Sequence, residues 1–537
     1  MIGSLAIVLH AHLPWVRHPE HDRFLEEHWL FEAVAECYLP LLRNLRRWTR
    51  DGVDWALTLG VTPTLVAMWD DPLLRSRTER YLDERLELAR RECERAMLVP
   101  ELLSVARFHA AFYEEARMEW AECRGDVAGA LAEWSRTGRL ELLAGPATHP
   151  ILPLLATEPG SLRAQLRLGL GRHERRFGRR SPGLWLPECA WSPAVEPHLV
   201  DAGVRHCLVE THGLLGAAPP PPTAVFLPVH SPGGLTVFGR DPLSARQVWS
   251  RQGGYPGDPR YREFHRDLAD EAEWGSLNGF LPGGGVRYPT GLKYHRVTGG
   301  EADKELYDRS AALEAVGEHA EHFLDQRARQ LRSAALGLEV RPALVAPYDA
   351  ELFGHWWFEG PDFLDRVMRG AARFGIALET LEGLSARHAG SCPSAQPAES
   401  SWGDGGYLGV WLHPSNADLQ PRLRSAGARM ARMARRVEGS EGRGVGAESA
   451  GAARSRLEDR VRKAGRELLL AQASDWPFLI RMGTAGDYAR RRVEAHLAAF
   501  DDLEKAILDG GATVPWCERG RPLPGEGFPE PEAGWWI

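Results

Sequence analysis

Short aliphatic runs that end in histidines or acids recur along this chain and constrain its fold more than any other feature. Residues 5–9 read LAIVL and are followed directly by HAHLPW. An uninterrupted run of this kind is typical of a strand buried on both faces of a parallel sheet. Further strands are predicted at residues 53–59, 140–150, 183–188, 204–209, 341–349 and 374–380, and helices at 29–50, 72–137, 161–180 and 301–336. Strands that alternate with helices and end in polar residues predict a (β/α) barrel with its site at the carboxyl ends of the strands.

Two of these runs end on a proline followed by an acid among aromatic residues. Residues 183–191 read GLWLPECAW, and residues 341–355 read RPALVAPYDAELFGH. A lone Glu188 is most simply a strand-edge carboxylate paired with an arginine, because an ionised carboxylate among aromatic rings is costly unless it has a partner or a use. A second carboxylate, Asp349, lies in similar surroundings and favours a catalytic role over a structural one, because retaining glycosidases need two carboxyl groups. We therefore predict Glu188 as nucleophile and Asp349 as acid/base.

Composition excludes several classes of protein. The 537 residues carry a formal net charge of −8 with no basic stripe, so nucleic acid is not expected as a partner. Neither a signal peptide nor a membrane span is evident, and a cytoplasmic location without membrane attachment is expected. Seven scattered cysteines without a CxxC pair fit reduced thiols in the cytosol. The 19 tryptophans are many for this length and would suit sugar-ring surfaces as well as a core.

The remaining segments suggest loops and a helical tail. A hairpin is predicted for residues 225–229 and 235–238 about SPGG, and the Gly-rich segments 252–258 and 279–288 are expected to be loops over the site. Residues 390–401 are read as a boundary loop. Helices are predicted beyond it at 419–437, 454–473 and 477–508, with a mobile Gly/Ser/Glu stretch at 438–449.

Five segments in order resemble the motifs of glycoside hydrolase family 57. They are HAHLP at 10–14, GPATH at 145–149, WLPE at 185–188, APYDAELFGH at 346–355 and SWG at 401–403. The helical tail and SDWPF at 474–478 most resemble the 1,4-α-glucan branching enzymes of that family. The resemblance implies an incomplete (β/α)7 barrel at residues 1–398 with a small subdomain inserted near 190–235. It also implies a C-terminal helical domain at 399–537 that contributes to the glucan-binding cleft, and a retaining mechanism.

The resemblance further implies which residues bind and transform an α-glucan such as amylose, glycogen or a maltooligosaccharide. Glu188 would be the nucleophile and Asp349 the acid/base. The expected sugar-binding residues are His10, His12, His149, Arg262, Trp274, Gly279, His355, Trp402, Trp411 and Asp475. The histidines would hydrogen-bond hydroxyls of the sugar at the cleavage point, and the tryptophans would stack on sugar rings. No cofactor is expected, and the protein is expected to be a monomer or a weak homo-oligomer.

The identity of the acceptor separates the activities that this chemistry allows. Transfer to a 6-hydroxyl makes a branching enzyme, transfer to water an α-amylase, and transfer to a 4-hydroxyl a 4-α-glucanotransferase. Branching enzymes of the family carry a loop with a tyrosine at its tip that favours transfer, whereas the corresponding residues 230–236 are short and contain no tyrosine. Weak branching and substantial hydrolysis are therefore expected.

Two other classes of protein remain open on sequence grounds. The HxH at residues 10–12, joined by Asp349 and another histidine, is also how metal-dependent hydrolases such as deacetylases begin. We expect no metal, because a zinc site needs three or four convergent ligands and the carboxylate pair stands independently of the histidines. A non-catalytic glucan-binding protein would keep the tryptophans but would have no use for Glu188 and Asp349.

Overall fold

The structure is a computed structural model that describes residues 1–249, 253–281, 286–298, 304–439, 447–509, 516 and 522–537. The chain divides into two compact units, each built from separate stretches of sequence. Unit 1 comprises Met1–Leu59, Met68–Leu142 and Arg240–Leu384, and unit 2 comprises Gly60–Ala67, Leu143–Gly239 and Ser385–Ile537. The predicted division at residue 398 lies near the last of these boundaries. It does not anticipate that residues 143–239 belong with the C-terminal region.

Nine strands are found in the described residues, and they form two sheets. They are β1 (Gly3–Ala11), β2 (Leu57–Val61), β3 (Leu140–Leu143), β4 (Gly183–Leu184), β5 (His206–Val209), β6 (Val229–His230), β7 (Thr236–Gly239), β8 (Ala343–Asp349) and β9 (Ile376–Leu378). The first sheet has the order β3-β2-β1-β8, and β9 also pairs with β1. Every residue of β1 is buried, as its aliphatic run predicted. Because β1 and β8 are parallel and in register from Ser4↔Ala343 to His10↔Asp349, their two polar ends lie side by side.

The second sheet lies in unit 2 and has the order β4-β5-β7-β6. The strands β4, β5 and β7 are parallel, and β6 pairs antiparallel with β7 as the predicted hairpin. Leu184, Val209 and Val237 form one hydrophobic cluster with helix residues such as Leu162 and Leu166. The segment 190–235, expected as a separate small subdomain, supplies β5 and β6 to this sheet and residues to this core. It is therefore an integral part of unit 2.

The α-helices cover the predicted helical regions with different ends, and they also include Pro63–Asp70, Pro242–Trp249 and Gly360–Gly370, which were not predicted. They are His28–Ala33, Leu39–Arg50, Pro63–Asp70, Pro72–Ala96, Leu103–Glu122, Val127–Ser135, Leu152–Leu155, Pro159–Phe177, Glu196–Asp201, Thr211–Leu215, Pro242–Trp249, Leu268–Glu271, Arg309–Ala335, Gly360–Gly370, Leu381–His388, Leu419–Gly439, Ala447–Ala471, Asp475–Met482 and Gly486–Leu508. The first two are joined by a turn of π-helix, Val34–Tyr38. None of the helices in the described ranges is long and apolar enough to span a membrane.

Two predicted elements are corrected by the structure. The strand expected at 140–150 ends at Leu143, and Gly145 and Pro146 follow in irregular chain. The helix expected at 477–508 is two helices, because Gly483 has a φ of +76° and ends the first with a left-handed cap. The stretch at 438–449 lies mostly outside the described residues. The chain is thus an α/β fold with parallel sheets and a helical C-terminal region.

Candidate active site

Glu188 follows the short strand β4 in a strained turn. The chain leaves Leu184 at the end of β4 and turns at Pro187, and Glu188 then has a φ of +59° and a ψ of +23°. Cys189 also has a positive φ, +49°. Two successive non-glycine residues in the left-handed region cost energy, and such strain persists where the surrounding structure fixes it, commonly at functional sites.

Trp402 fixes both the backbone and the side chain of Glu188. Its indole Nε1 donates a hydrogen bond of 2.6 Å to Glu188 Oε2, and its backbone N donates one of 2.9 Å to Glu188 O. The indole also meets Trp185 edge to face at 5.3 Å between ring centroids. The Glu188 side chain is 20% exposed. One carboxylate oxygen is therefore held by a donor in a position that solvent and a ligand can still reach.

His149 and the SDWPF segment lie next to Glu188. His149 Nδ1 is 3.9 Å from Glu188 Oε1 and 2.8 Å from Ser474 Oγ. The backbone N of Ser474 donates to His149 O at 3.1 Å. A carboxylate oxygen of Asp475 lies within 4.8 Å of a ring nitrogen of His149. Unit 2 therefore brings together four of the predicted site residues, Glu188, His149, Trp402 and Asp475.

Asp349 ends β8 in unit 1, level with His10 at the end of β1. His10 is buried, and burial together with the nearby His12 places the pKa of His10 well below its usual value. The two imidazoles stack with ring centroids 5.8 Å apart. A neutral imidazole can donate one hydrogen bond and accept another. His10 therefore has the form that binding a sugar hydroxyl requires.

Glu351 organises the segment that follows Asp349. Its Oε1 accepts hydrogen bonds from the backbone N of His12, at 3.1 Å, and from the hydroxyl of Tyr38. Burial raises the pKa of Glu351, although the hydrogen bond from Tyr38 opposes this. The carboxyl group thus ties the ends of β1 and β8 to the π-helical turn that carries Tyr38.

His355 belongs to a buried network of charges in unit 1. Its Nδ1 lies 2.7 Å from Glu36 Oε2, and Arg262 Nη2 donates to Glu36 Oε1 at 3.0 Å. Burial by itself raises the pKa of Glu36, but Arg262 and His355 outweigh it and hold that pKa at about 2. One helical turn earlier, Glu32 lies 3.9 Å from His355 Nε2, and burial raises its pKa to about 7.

Two residues predicted to contact sugar are turned inward. The Arg262 side chain is only 2% exposed, with its guanidinium paired with Glu36 and 3.6 Å from the centre of the Phe358 ring. Trp411 is 1% exposed and packs in a core with Ile151, Ala190 and Val410. Glu36 and Phe358 occupy the Arg262 guanidinium and the core covers the Trp411 ring, and these partners argue against direct sugar contact by either residue. Arg262 can influence the site through Glu36 and His355, and Trp411 through the loop that packs on it.

Trp274 and Gly279 have surfaces that a ligand can reach. Trp274 begins the short turn Trp274–Leu277 and is 37% exposed, with the Arg287 guanidinium 5.6 Å from its ring centre. Gly279 is exposed, has a φ of +90°, and would meet nothing within 4 Å if it carried a Cβ. The rest of the predicted loop at 279–288 falls partly outside the described residues.

The hairpin of β6 and β7 is a tight turn with no projecting loop. Ser231 N donates to Leu235 O at 2.9 Å, and Ser231 Oγ accepts from Leu235 N at 3.0 Å. Gly233 N is bound by Glu196 Oε1 at 2.6 Å, which holds the tip against the helix Glu196–Asp201. The position at which family relatives were expected to carry a tyrosine-tipped loop is therefore occupied by a short, anchored turn.

Sequence reasoning missed three residues that shape these sites. Tyr38 and Glu36 lie in the π-helical turn, and no local pattern marks that turn within the long helical stretch 28–50. Ser474 stands beside the predicted Asp475, and a hydroxyl preceding an acid at the start of a helix was a usable signal. The roles of Tyr38 and Glu36 depend on contacts with residues more than 200 positions away, which a local sequence pattern cannot show.

Comparison with known proteins agrees with the α/β fold and the helical C-terminal region. A family model described as glycosyl hydrolase family 57 matches residues 6–320, and one described as 1,4-alpha-glucan branching enzyme, C-terminal, matches residues 423–520. The chain belongs to glycosyl hydrolase family 57.

Individual relatives are similar over nearly the whole chain. The crystal structure of an α-amylase, AmyC, from Thermotoga maritima has 34% identity and a TM-score of 0.90, covering 100% of this chain and 99% of that one. A GH57-type branching enzyme from Pyrococcus horikoshii has 32% identity and a TM-score of 0.83, with 98% and 94% coverage. A 1,4-α-glucan branching enzyme from Thermococcus kodakarensis is 31% identical over 95% of this chain and 74% of its own length.

Proposed function

We propose that this protein is a 1,4-α-glucan branching enzyme, which cleaves α-1,4 links and forms α-1,6 links by double displacement. The observation that carries the proposal is the hydrogen bond from Trp402 to Glu188, which joins the WLPE and SWG motifs around one strained carboxylate. Similarity to proteins named as branching enzymes, including the match to their C-terminal region, supports the same activity. The substrates would be amylose, glycogen and maltooligosaccharides.

In the proposed mechanism the carboxyl groups of Glu188 and Asp349 have different roles. Glu188 attacks C1 of the sugar, while Asp349, protonated at the start, gives its proton to the leaving oxygen. An acceptor hydroxyl then attacks C1 of the glycosyl ester, the C1–Oε bond breaks, and the hydroxyl proton passes to the Asp349 carboxylate. Retention of configuration requires the two carboxyl groups to be about 5–5.5 Å apart when the sugar is bound. An incomplete (β/α)7 barrel is the architecture we propose for meeting this requirement.

The histidines are proposed to hold the sugar at the cleavage point. Burial keeps His10 neutral, which leaves its ring able to donate and accept. His149 is fixed by Ser474 close to Glu188, and His355 is fixed by Glu36. These anchors allow each ring to bind a hydroxyl without first being ordered, which lowers the entropic cost of binding. A monomer or weak homo-oligomer without a cofactor, located in the cytoplasm, remains our prediction.

Hydrolysis is the second activity that a specific observation favours. The anchored turn at 230–236 cannot close over the glycosyl ester, so water competes more effectively with the acceptor. One similar structure is also named as an α-amylase. We therefore propose that hydrolysis is a larger share of total turnover than in relatives that carry a loop tyrosine.

Incubation with amylose tests the proposal by counting new α-1,6 links against new reducing ends. Wild-type protein should form both products, and Glu188→Gln and Asp349→Asn should each reduce both by at least about 1,000-fold. Asp201→Asn is the matched control, because it makes the same chemical change on an exposed residue of unit 2. Substantial activity in either acid variant, with the fold intact by circular dichroism, would contradict the assigned roles.

A further inference from the structure

An extended strap, residues 393–402, crosses unit 2 and ends at the nucleophile. Successive backbone hydrogen bonds of 2.8–3.0 Å join it to four positions in reverse chain order. They are His230 N→Pro393 O, Ala395 N→His230 O, Gln396 N→Ala218 O, Ala398 N→Gly213 O and Trp191 N→Ser400 O. The strap finishes where Trp402 N donates to Glu188 O. Because it is held along its length, the loop that follows it leaves from a fixed point.

The loop at residues 403–407 is seated tightly between two side chains. A Cβ on Gly403 would lie 2.6 Å from the Trp411 ring, and one on Gly406 would lie 2.8 Å from Cε1 of His212. Ser401 closes the loop, since its N donates to Gly406 O at 2.9 Å and its Oγ to the backbone O of Tyr407 at 2.7 Å. Both positions therefore favour glycine, and the hydrogen bonds of Ser401 hold the end of the loop at Tyr407.

Tyr407 is an exposed aromatic residue in a fixed position. The residue is 58% exposed, and its ring meets the His212 ring edge to face with centroids 5.3 Å apart. All eleven tyrosines of the chain lie in the described residues, and the other ten are at most 9% exposed. A large exposed ring offers a flat apolar face on which a sugar ring can stack.

The position of Tyr407 relates it to the nucleophile. The strands β4 and β5 are parallel neighbours, so the residues after them emerge at one edge of the sheet. Glu188 follows β4, and His212 follows β5. The 401–407 loop contacts both, with Trp402 on Glu188 and Tyr407 on His212. Tyr407 therefore lies at the same edge of the sheet as the nucleophile, on the side of β5.

We propose that Tyr407 is an acceptor-binding residue, whose ring stacks on a glucose unit of the incoming α-glucan. This inference rests on the proposed branching activity. Stacking there raises the local occupancy of the acceptor while the glycosyl ester on Glu188 survives, and so favours attack by its 6-hydroxyl over attack by water. Tyr407, on the loop that follows the strap, thereby supplies in part the acceptor binding for which the anchored turn at 230–236 has no residue.

The test compares Tyr407→Ala and Tyr407→Phe with wild type on amylose, measuring α-1,6 links and reducing ends over a range of acceptor concentrations. The loss of one stacking contact weakens a binding constant about fivefold. Tyr407→Ala should therefore lower the ratio of α-1,6 links to reducing ends about fivefold and raise the acceptor concentration for half-maximal transfer. Tyr407→Phe keeps the ring and should keep the ratio within about twofold. Trp249→Ala, which removes another exposed aromatic ring, should leave the ratio unchanged.

The possible outcomes separate this inference from the proposed function. If wild type forms α-1,6 links and Tyr407→Ala has the wild-type ratio, the role of Tyr407 is refuted and the branching activity stands. If Tyr407→Ala loses links and reducing ends equally, together with thermal stability, the ring only seats the loop and the inference is again refuted. If wild type forms no α-1,6 links at all, the proposed function fails, and the wild-type measurement alone reveals this.

Discussion

Replacing Glu32 with glutamine should make unit 1 more stable at alkaline pH. Glu32 is buried with a pKa of about 7, compared with an ordinary value of 4.5. The folded protein therefore keeps a proton on Glu32 that the unfolded chain has already released between these two pH values. The free energy of unfolding then falls as pH rises from about 4.5 to about 7, and it is constant above that.

The size of the effect follows from the two pKa values. At about 1.4 kcal/mol per unit of pKa, the difference between 4.5 and about 7 is worth about 3 kcal/mol. Glutamine keeps the volume and removes the charge, so Glu32→Gln should match wild type at pH 4.5 and exceed it by about 3 kcal/mol at pH 8. For a unit of this size the gain corresponds to a rise of about 5 °C in the melting temperature.

Glu36→Gln is the matched comparison, because it makes the same change one helical turn away with the opposite expectation. The pKa of Glu36 is held at about 2, so its charge stabilises the fold above pH 4.5, and that stability is lost as pH falls toward 2. Its removal leaves Arg262 buried without its carboxylate and should cost about 3 kcal/mol at neutral pH. Calorimetry at pH 5 and pH 8 measures both variants. A Glu32→Gln protein that is less stable than wild type at pH 8 would refute the account of this network.

Three further changes test other parts of the site. Trp402→Phe removes the hydrogen-bond donor to Glu188. Because that carboxylate regains its charge as the glycosyl ester breaks, the transition state for breaking the ester loses about 1 kcal/mol of stabilisation. Intact-mass spectrometry should therefore show the glycosyl-enzyme accumulating several-fold, and no accumulation would contradict this role. Exhaustive chelation should leave activity unchanged, whereas a stoichiometric metal whose removal stops turnover would favour the deacetylase-like class. A longer, tyrosine-tipped loop grafted between Val229 and Leu235 should raise the ratio of transfer to hydrolysis, and an unchanged ratio would show that this turn does not control the acceptor.

Sequence alone predicted the elements whose pattern is set by burial. The run at 5–9 and the run before Asp349 are rich in aliphatic residues because both faces of β1 and β8 are covered, and each strand was located to within two residues of its ends. The motifs likewise pointed to Glu188, His149 and Trp402, which unit 2 brings together.

The remaining features depend on contacts that the sequence does not record. Nothing in WLPE indicates that Glu188 adopts a positive φ or that its backbone O accepts a hydrogen bond from the distant Trp402. An arginine or tryptophan in a motif does not reveal whether it faces a ligand or the core. Arg262 turns inward because Glu36, 226 positions away, supplies its countercharge, and Trp411 is covered by Ile151 and Val410.

The strap at 393–402 also governs how this protein can be recombined with its relatives. A cut at residue 398, the boundary that composition suggests, would separate Trp402 from Glu188 and Ser474 from His149. Thr148 would lose its bond to Leu469 O by the same cut. The segment that carries the nucleophile and the helical C-terminal region therefore form one structural unit and must be exchanged together. Chimaeras that exchange the tail for that of another family member should be active only when residues 143–239 are exchanged with it.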